Sequence, residues 1–287
     1  MSVSLPRAPW RDRSGRLSAL RVVALLVLSA PAVWLAVRAA VGDLGPRPLT
    51  EALRFCGDRA IETLIAAIAI TPLRRLSGWA KLVGVRRMIG LAAFFWAVGH
   101  FGLYVADQGG DLGKVASEIA LRPYLTLGFV ALVGLATLAA TSTDGMIRRL
   151  GGARWGRLHG LVHAIAILTL VHFFLQVRLD PFWSAVVAGT ALGGLAVRVA
   201  ADPCPAGPLA VAIAAVAAWI GAAGGELAWF AAKTTRPLAP ILRADFDTTF
   251  RVAPAWWAAT IVLALGALAL LRRRFTAGNG ARTAIRE

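Results

Sequence analysis

Long apolar runs interrupted by short polar ones set the pattern of this chain. Read from the N-terminus, the runs fall near residues 20–38, 56–72, 88–106, 123–141, 159–177, 181–199, 208–231 and 254–271. All are at least 17 residues long, which is enough for a helix to cross about 30 Å of hydrocarbon. A soluble domain would break such runs with charges at helical period, and this chain seldom does so. The pattern predicts an all-α, polytopic transmembrane helical bundle of about eight spans. The second run is the least regular: its clean apolar part, IETLIAAIAIT, is short, and Asp58, Arg59 and Glu62 crowd one end. A mutually paired helix entrance accounts for those charges more simply than a proton or quinone site.

Composition agrees with the pattern. The chain has 287 residues, 58% of them hydrophobic, and a mean hydropathy of +0.67. Its formal net charge of +16 would suit a nucleic-acid binder, but the distribution points elsewhere. With the N-terminus placed in the cytoplasm, 20 of the 31 Lys and Arg residues fall on that side with four acidic residues. The outer side holds 11 basic and ten acidic residues, and Glu226 remains inside a span. The charge excess is thus a positive-inside bias and predicts no nucleic-acid partner. Both termini are expected in the cytoplasm.

The remaining sequence offers little soluble structure. There is no G-x-G-x-x-G opening a helix, no P-loop and no flavin- or nicotinamide-binding lobe. The first apolar run has span length and lacks a small-residue cleavage pattern, so it reads as a span and not as a signal peptide. Cys56 and Cys204 fall on opposite sides in this topology, which argues against a disulfide between them. Trp183, Trp229, Trp256 and Trp257 lie near span ends and read as interfacial anchors. A short surface helix is expected around 238–246, and a polar, disordered tail after Leu271.

Against this background the four histidines stand out. Three lie in one segment, RLHGLVHAIAILTLVHFF, as His159, His163 and His172, and the fourth is His100 in the third span. Ionisable side chains inside spans are costly and usually functional. His159 and His172 are 13 residues apart, about 20 Å along a helix axis. Spans three and five run in the same direction, so His100 and His172 reach similar depth. Two histidines level with each other on different helices are what a six-coordinate b-type haem needs. On an ideal helix 13 residues fall about 140° from alignment, so stacked haems would need some unwinding. His163 stands one turn from His159 and could be a substitute ligand, a propionate partner or a spectator. The bland alternative is a set of core histidines bonded to carbonyl or hydroxyl groups.

The order of several motifs resembles the MsrQ (formerly YedZ) family: TPLRRLSG, RRMIGLAAFFWAVGH, LRPYLTLG, TSTDGMIRRLGGARWGRLH and VHFFLQVRLDP, over roughly residues 20–200. This resemblance implies a ferric-reductase-like haem-binding core. It places His100, His159 and His172 on the family's haem-associated histidines. It implies one or two b haems, with Arg86 or Arg87 at the position where a fourth histidine ligand would stand. Those arginines are positive-inside residues first and candidate propionate or flavin contacts second. FMN is implied by the family alone; no residue pattern here shows it. The implied role is an electron-transfer subunit of the bacterial inner membrane, with substrate reduction expected on a partner chain. Electrons would pass from the quinone pool, or from a cytosolic flavin reductase, to MsrP, a periplasmic molybdopterin methionine-sulfoxide reductase. The rival readings are a self-contained ferric or oxygen reductase using a separate flavin reductase, and a non-redox permease. The expected organisation is a basic cytoplasmic segment at 1–19, the core at 20–200, a two-span extension at 201–271 and a cytoplasmic tail at 272–287. The extension departs from the usual core, and its simplest reading is two added lipid-facing helices.

Overall fold

The computed structural model describes residues 10–11, 15–200, 207–247, 249 and 251–284. Cys204 and most of the charges assigned to the first 14 residues lie outside these. The described residues form α-helices joined by tight turns: α1 (Ala19–Ala40), α2 (Pro48–Ser77), α3 (Val83–Asp107), α4 (Leu112–Leu121), α5 (Pro123–Ala140), α6 (Asp144–Leu150), α7 (Gly152–Gly160), α8 (Val162–Gln176), α9 (Phe182–Ala200), α10 (Pro208–Lys233), α11 (Leu238–Ala244) and α12 (Pro254–Ala284). A 3₁₀ turn, Ala80–Leu82, leads into α3. Among the described residues the only β-pairing is an isolated bridge between Arg11 and Leu17.

Seven helical stretches are long and apolar enough to cross a membrane: α1, the 3₁₀ turn with α3, α5, α7 with α8, α9, α10 and α12 up to Thr276. The chain is a multi-pass membrane protein. α2 is the expected span that falls short on composition, although its 30 residues would reach about 45 Å at helical rise. Its charges pair locally: Arg59 meets Glu62 at 2.5 Å, and Arg54 meets Glu51 at 3.3 Å. The Arg59–Glu62 pair is part of the paired helix entrance expected from the sequence.

The turns have identifiable causes. Gly78, at φ 65°, follows α2 with a conformation that a Cβ would strain. Asp111 caps α4 by accepting from the Lys114 N–H at 2.9 Å. Pro123 follows Arg122, which takes the extended conformation that a residue before proline favours, and this separates α4 from α5. Thr143 caps α6, and Gly151, at φ 73°, ends it.

The chain divides into two compact units, the described residues of Met1–Ala67 with Val83–Thr169, and those of Ile68–Leu82 with Leu170–Glu287. In the first, Trp34 of α1 stacks on Phe55 of α2 at 4.9 Å, and Phe55 meets Trp96 of α3 edge-on at 6.0 Å. Phe101 of α3 meets Phe129 of α5 at 5.8 Å. In the second, α9, α10 and α12 form a close-packed core of small residues, including Ala185, Ala214, Ala218, Ala222, Ala255 and Ala258. A Cβ on Gly189 would come within 2.8 Å of both Ala222 and Ala258. Small residues allow such backbone approach between membrane helices.

Three expectations need revision in this second unit. α10 and α12 are not simply lipid-facing additions, because nine residues of α10 are buried. Trp229 is no surface anchor: it is buried, and its Nε1–H donates to the Val177 carbonyl at 3.3 Å. The tail is helical as far as Ala284. The expected surface helix does form, as α11.

Candidate functional site

His100 lies on α3 beside α2. Its Nδ1 is 2.8 Å from the Leu53 carbonyl oxygen. A carbonyl can only accept, so the proton is on Nδ1 and Nε2 carries the lone pair. Gly57, one helical turn after Leu53, makes this approach possible. A Cβ there would be 2.9 Å from Nδ1 and 3.1 Å from Cε1 of the imidazole. The ring therefore packs against bare helix backbone. Donation from one ring nitrogen to a backbone carbonyl fixes the tautomer and the ring plane of a metal-ligating histidine. These residues fit an axial haem ligand.

His159 is held differently. It is on α7, where its ring stacks on Trp155 one turn earlier, with centroids 4.0 Å apart and planes 24° apart. Its Nε2 is 3.0 Å from Thr141 Oγ1, at the end of α5. The same threonine anchors Trp155, whose indole N–H donates to the Thr141 carbonyl at 3.0 Å. Arg86 and Arg87 are near enough for their charges to act on the His159 imidazole. Arg87 is also paired with Asp144 at 2.7 Å. In the first unit, then, His159, Thr141 and Trp155 form one bonded group, whereas His100 belongs to the α2–α3 contact.

His163 and His172 both lie on α8 and are half-buried. His163 Nδ1 is 3.0 Å from the Gly160 carbonyl, to which it donates. His172 stands in the last third of α8, in the second unit. Between His159 and His163 the helix is interrupted at Leu161, whose N–H donates to Leu158 in an i→i−3 bond of 3.1 Å. The segment from His159 to His172 is therefore not one ideal helix.

Sequence reasoning singled out the imidazoles but missed their supports. Gly57 appears as one more small residue in an apolar run. Thr141 appears only as the last residue of an apolar run, although it caps α5 and its hydroxyl also bonds the Thr137 carbonyl at 2.8 Å. Trp155 carried a signal, since it stands four residues before His159 and so on the same helix face.

Comparison with known proteins places the chain. Residues 57–170 match the family model described as ferric reductase like transmembrane component. The protein-methionine-sulfoxide reductase heme-binding subunit MsrQ of Rhodospirillum rubrum is 43% identical over 190 residues, covering 66% of this chain and 89% of that protein. The chain belongs to the MsrQ family. MsrQ of Agrobacterium fabrum is 36% identical over 201 residues, covering 69% of this chain and 91% of that one. For MsrQ of Ralstonia nicotianae the figures are 40% over 159 residues, 55% and 73%. No solved structure matches. About a third of this MsrQ-family chain thus lies outside its match to the R. rubrum protein.

Proposed function

We propose that this chain is the haem-binding membrane subunit of a methionine-sulfoxide reductase system and that His100 is an axial ligand. Membership of the MsrQ family supports the first part. The observation that carries the second is the His100 imidazole held by the Leu53 carbonyl over Gly57. That hydrogen bond contributes about 1 kcal/mol to holding the ring and keeps Nε2 as the nitrogen able to bind iron. His172 is the proposed second ligand, on the grounds of equal depth in the sequence topology. His159, with His163 as an alternative, is proposed for a second haem. There Thr141 and Trp155 restrict the ring, and Arg86 and Arg87 offer positive charge to propionates. Haem bound in these places would supply a one-electron carrier inside the membrane.

The finer assignments follow the same reading. The chain lies in the bacterial inner membrane with both termini cytoplasmic, as the basic bias supports. Its donor is the quinone pool or a cytosolic flavin reductase, and FMN is a family-level expectation. Its acceptor is a periplasmic molybdopterin subunit of the MsrP type, which reduces methionine sulfoxide in oxidised periplasmic proteins. The residues 20–200 are proposed as the haem-binding core and those that follow as an extension to it.

The purified protein should show a Soret band and, on reduction, a b-type α-band. His100→Ala and His172→Ala should each remove the same pigment. If each removes a different one, the pairing is wrong; a colourless wild-type protein would sink the proposal. Turnover of methionine sulfoxide with an MsrP-type partner, set against ferric turnover without it, distinguishes the self-contained ferric reductase.

A further inference from the structure

The second unit contains a buried acid pair that the haem reading does not use. Glu226, on the last third of α10, and Asp245, just after α11, are 7% and 3% exposed. Both carboxyls line one cavity and lie close enough for the charge of one to act on the other. Two buried carboxyls so placed do not both ionise, so one proton is held at the pair. Burial pushes the Asp245 carboxyl up. Its Oδ2 is fully buried and has no hydrogen-bond partner.

Both acids line a cavity of about 440 Å³, with Phe230, Pro240, Ile241 and Pro254 among its walls. That is the size range of small-molecule sites. The other charges around it are accounted for. Arg251 is committed to Asp180 at 2.8 and 3.4 Å and lies over Phe182 at 4.4 Å. Asp247 accepts from the Thr249 N–H at 2.9 Å, and Arg236 is exposed. The pair therefore has no basic side chain of its own.

We propose that this cavity binds a small organic ammonium ion, whose N–H groups bond the Glu226 and Asp245 carboxyls in exchange for the proton held at the pair. The exchange is electroneutral: one positive charge enters as one proton leaves to solvent. An anion would meet two buried acids. Among the described residues no group of three or more His, Cys, Asp or Glu converges to hold a metal ion, and the apolar walls suit an organic body. The inference is independent of the haem reading, since none of its residues is a proposed ligand.

The test is calorimetric titration of the full-length protein in nanodiscs with benzylamine, repeated in buffers of different ionisation enthalpy. Saturable binding should release close to one proton per amine and tighten as pH rises from 6 to 8. Glu226→Gln and Asp245→Asn should each weaken it by about tenfold or more, with the haem spectrum unchanged. In the wild-type protein, the infrared band of the protonated carboxyl should disappear when the amine binds. That readout holds even if a variant fails to fold. Absence of saturable binding, unchanged affinity in both variants, retention of the carboxyl band, or equal binding of uncharged benzyl alcohol would each overturn the proposal.

Discussion

α3 buries Val85 and Ala93 along its 25 residues, whereas α10 buries nine residues along 26. The apolar windows of α9, α10 and α12 are each 39% buried, against 6% for the stretch containing α3 and 11% for α7 with α8. The buried residues of α10 are mostly alanines, which let neighbouring backbones approach over a long interface. α3 relies instead on separated contacts, chiefly aromatic rings and the His100–Leu53 bond. One region is held by many similar contacts, the other by a few specific ones. Substitutions should therefore change global stability in the first and pigment or local order in the second.

The largest effect should come from Gly189→Leu. Its side chain has to enter the space occupied by Ala222, Ala258 and the Ala218 carbonyl. A loss of roughly 3 kcal/mol or more is expected, read as a fall in the thermal midpoint of α-helical circular dichroism. A wild-type midpoint would show that α9 does not depend on this packing. Gly57→Val comes next. Its stability cost should be smaller, about 1–3 kcal/mol, but pigment per folded protein should drop sharply as the His100 ring is displaced. Normal pigment in this variant would remove the support proposed for the ligand.

Thr141→Ala removes one hydroxyl partner of His159 and should cost about 1 kcal/mol, leaving the band lost in His100→Ala intact. If that band disappears, the two histidines are not separately supported. The smallest effect concerns pH. The hydrogen bond from Arg251 holds the Asp180 carboxyl below its ordinary range. Because the folded value is depressed, the stabilisation is complete above the unfolded value of roughly 4 and is lost as pH falls through the folded one. Both side chains are about half exposed, so the contribution should be below about 1 kcal/mol. Asp180→Asn should flatten the acid limb of the stability curve slightly and leave the neutral plateau nearly in place.

Much of the helix order was legible because hydrocarbon thickness dictates length and lipid dictates composition. The histidines were legible because few polar groups share their spans. α4 was missed even though Asp111 provides a cap and Leu112, Val115 and Ile119 repeat at helical spacing; ten residues are too few to register beside the spans. The acid pair was illegible for another reason. Glu226 and Asp245 are 19 positions apart, and only the return of the chain through α11 brings them together. Trp229 misled because nearness to a span end does not show which way an indole points.

The contact between Gly57 and His100 extends beyond this one chain. A genome survey for pigmented relatives can score two alignment columns together: the glycine facing the ring and the imidazole itself. A sequence that keeps the histidine but carries a branched residue in the other column lacks room for this ring orientation. Such a pair of columns sorts candidates before any of them is expressed.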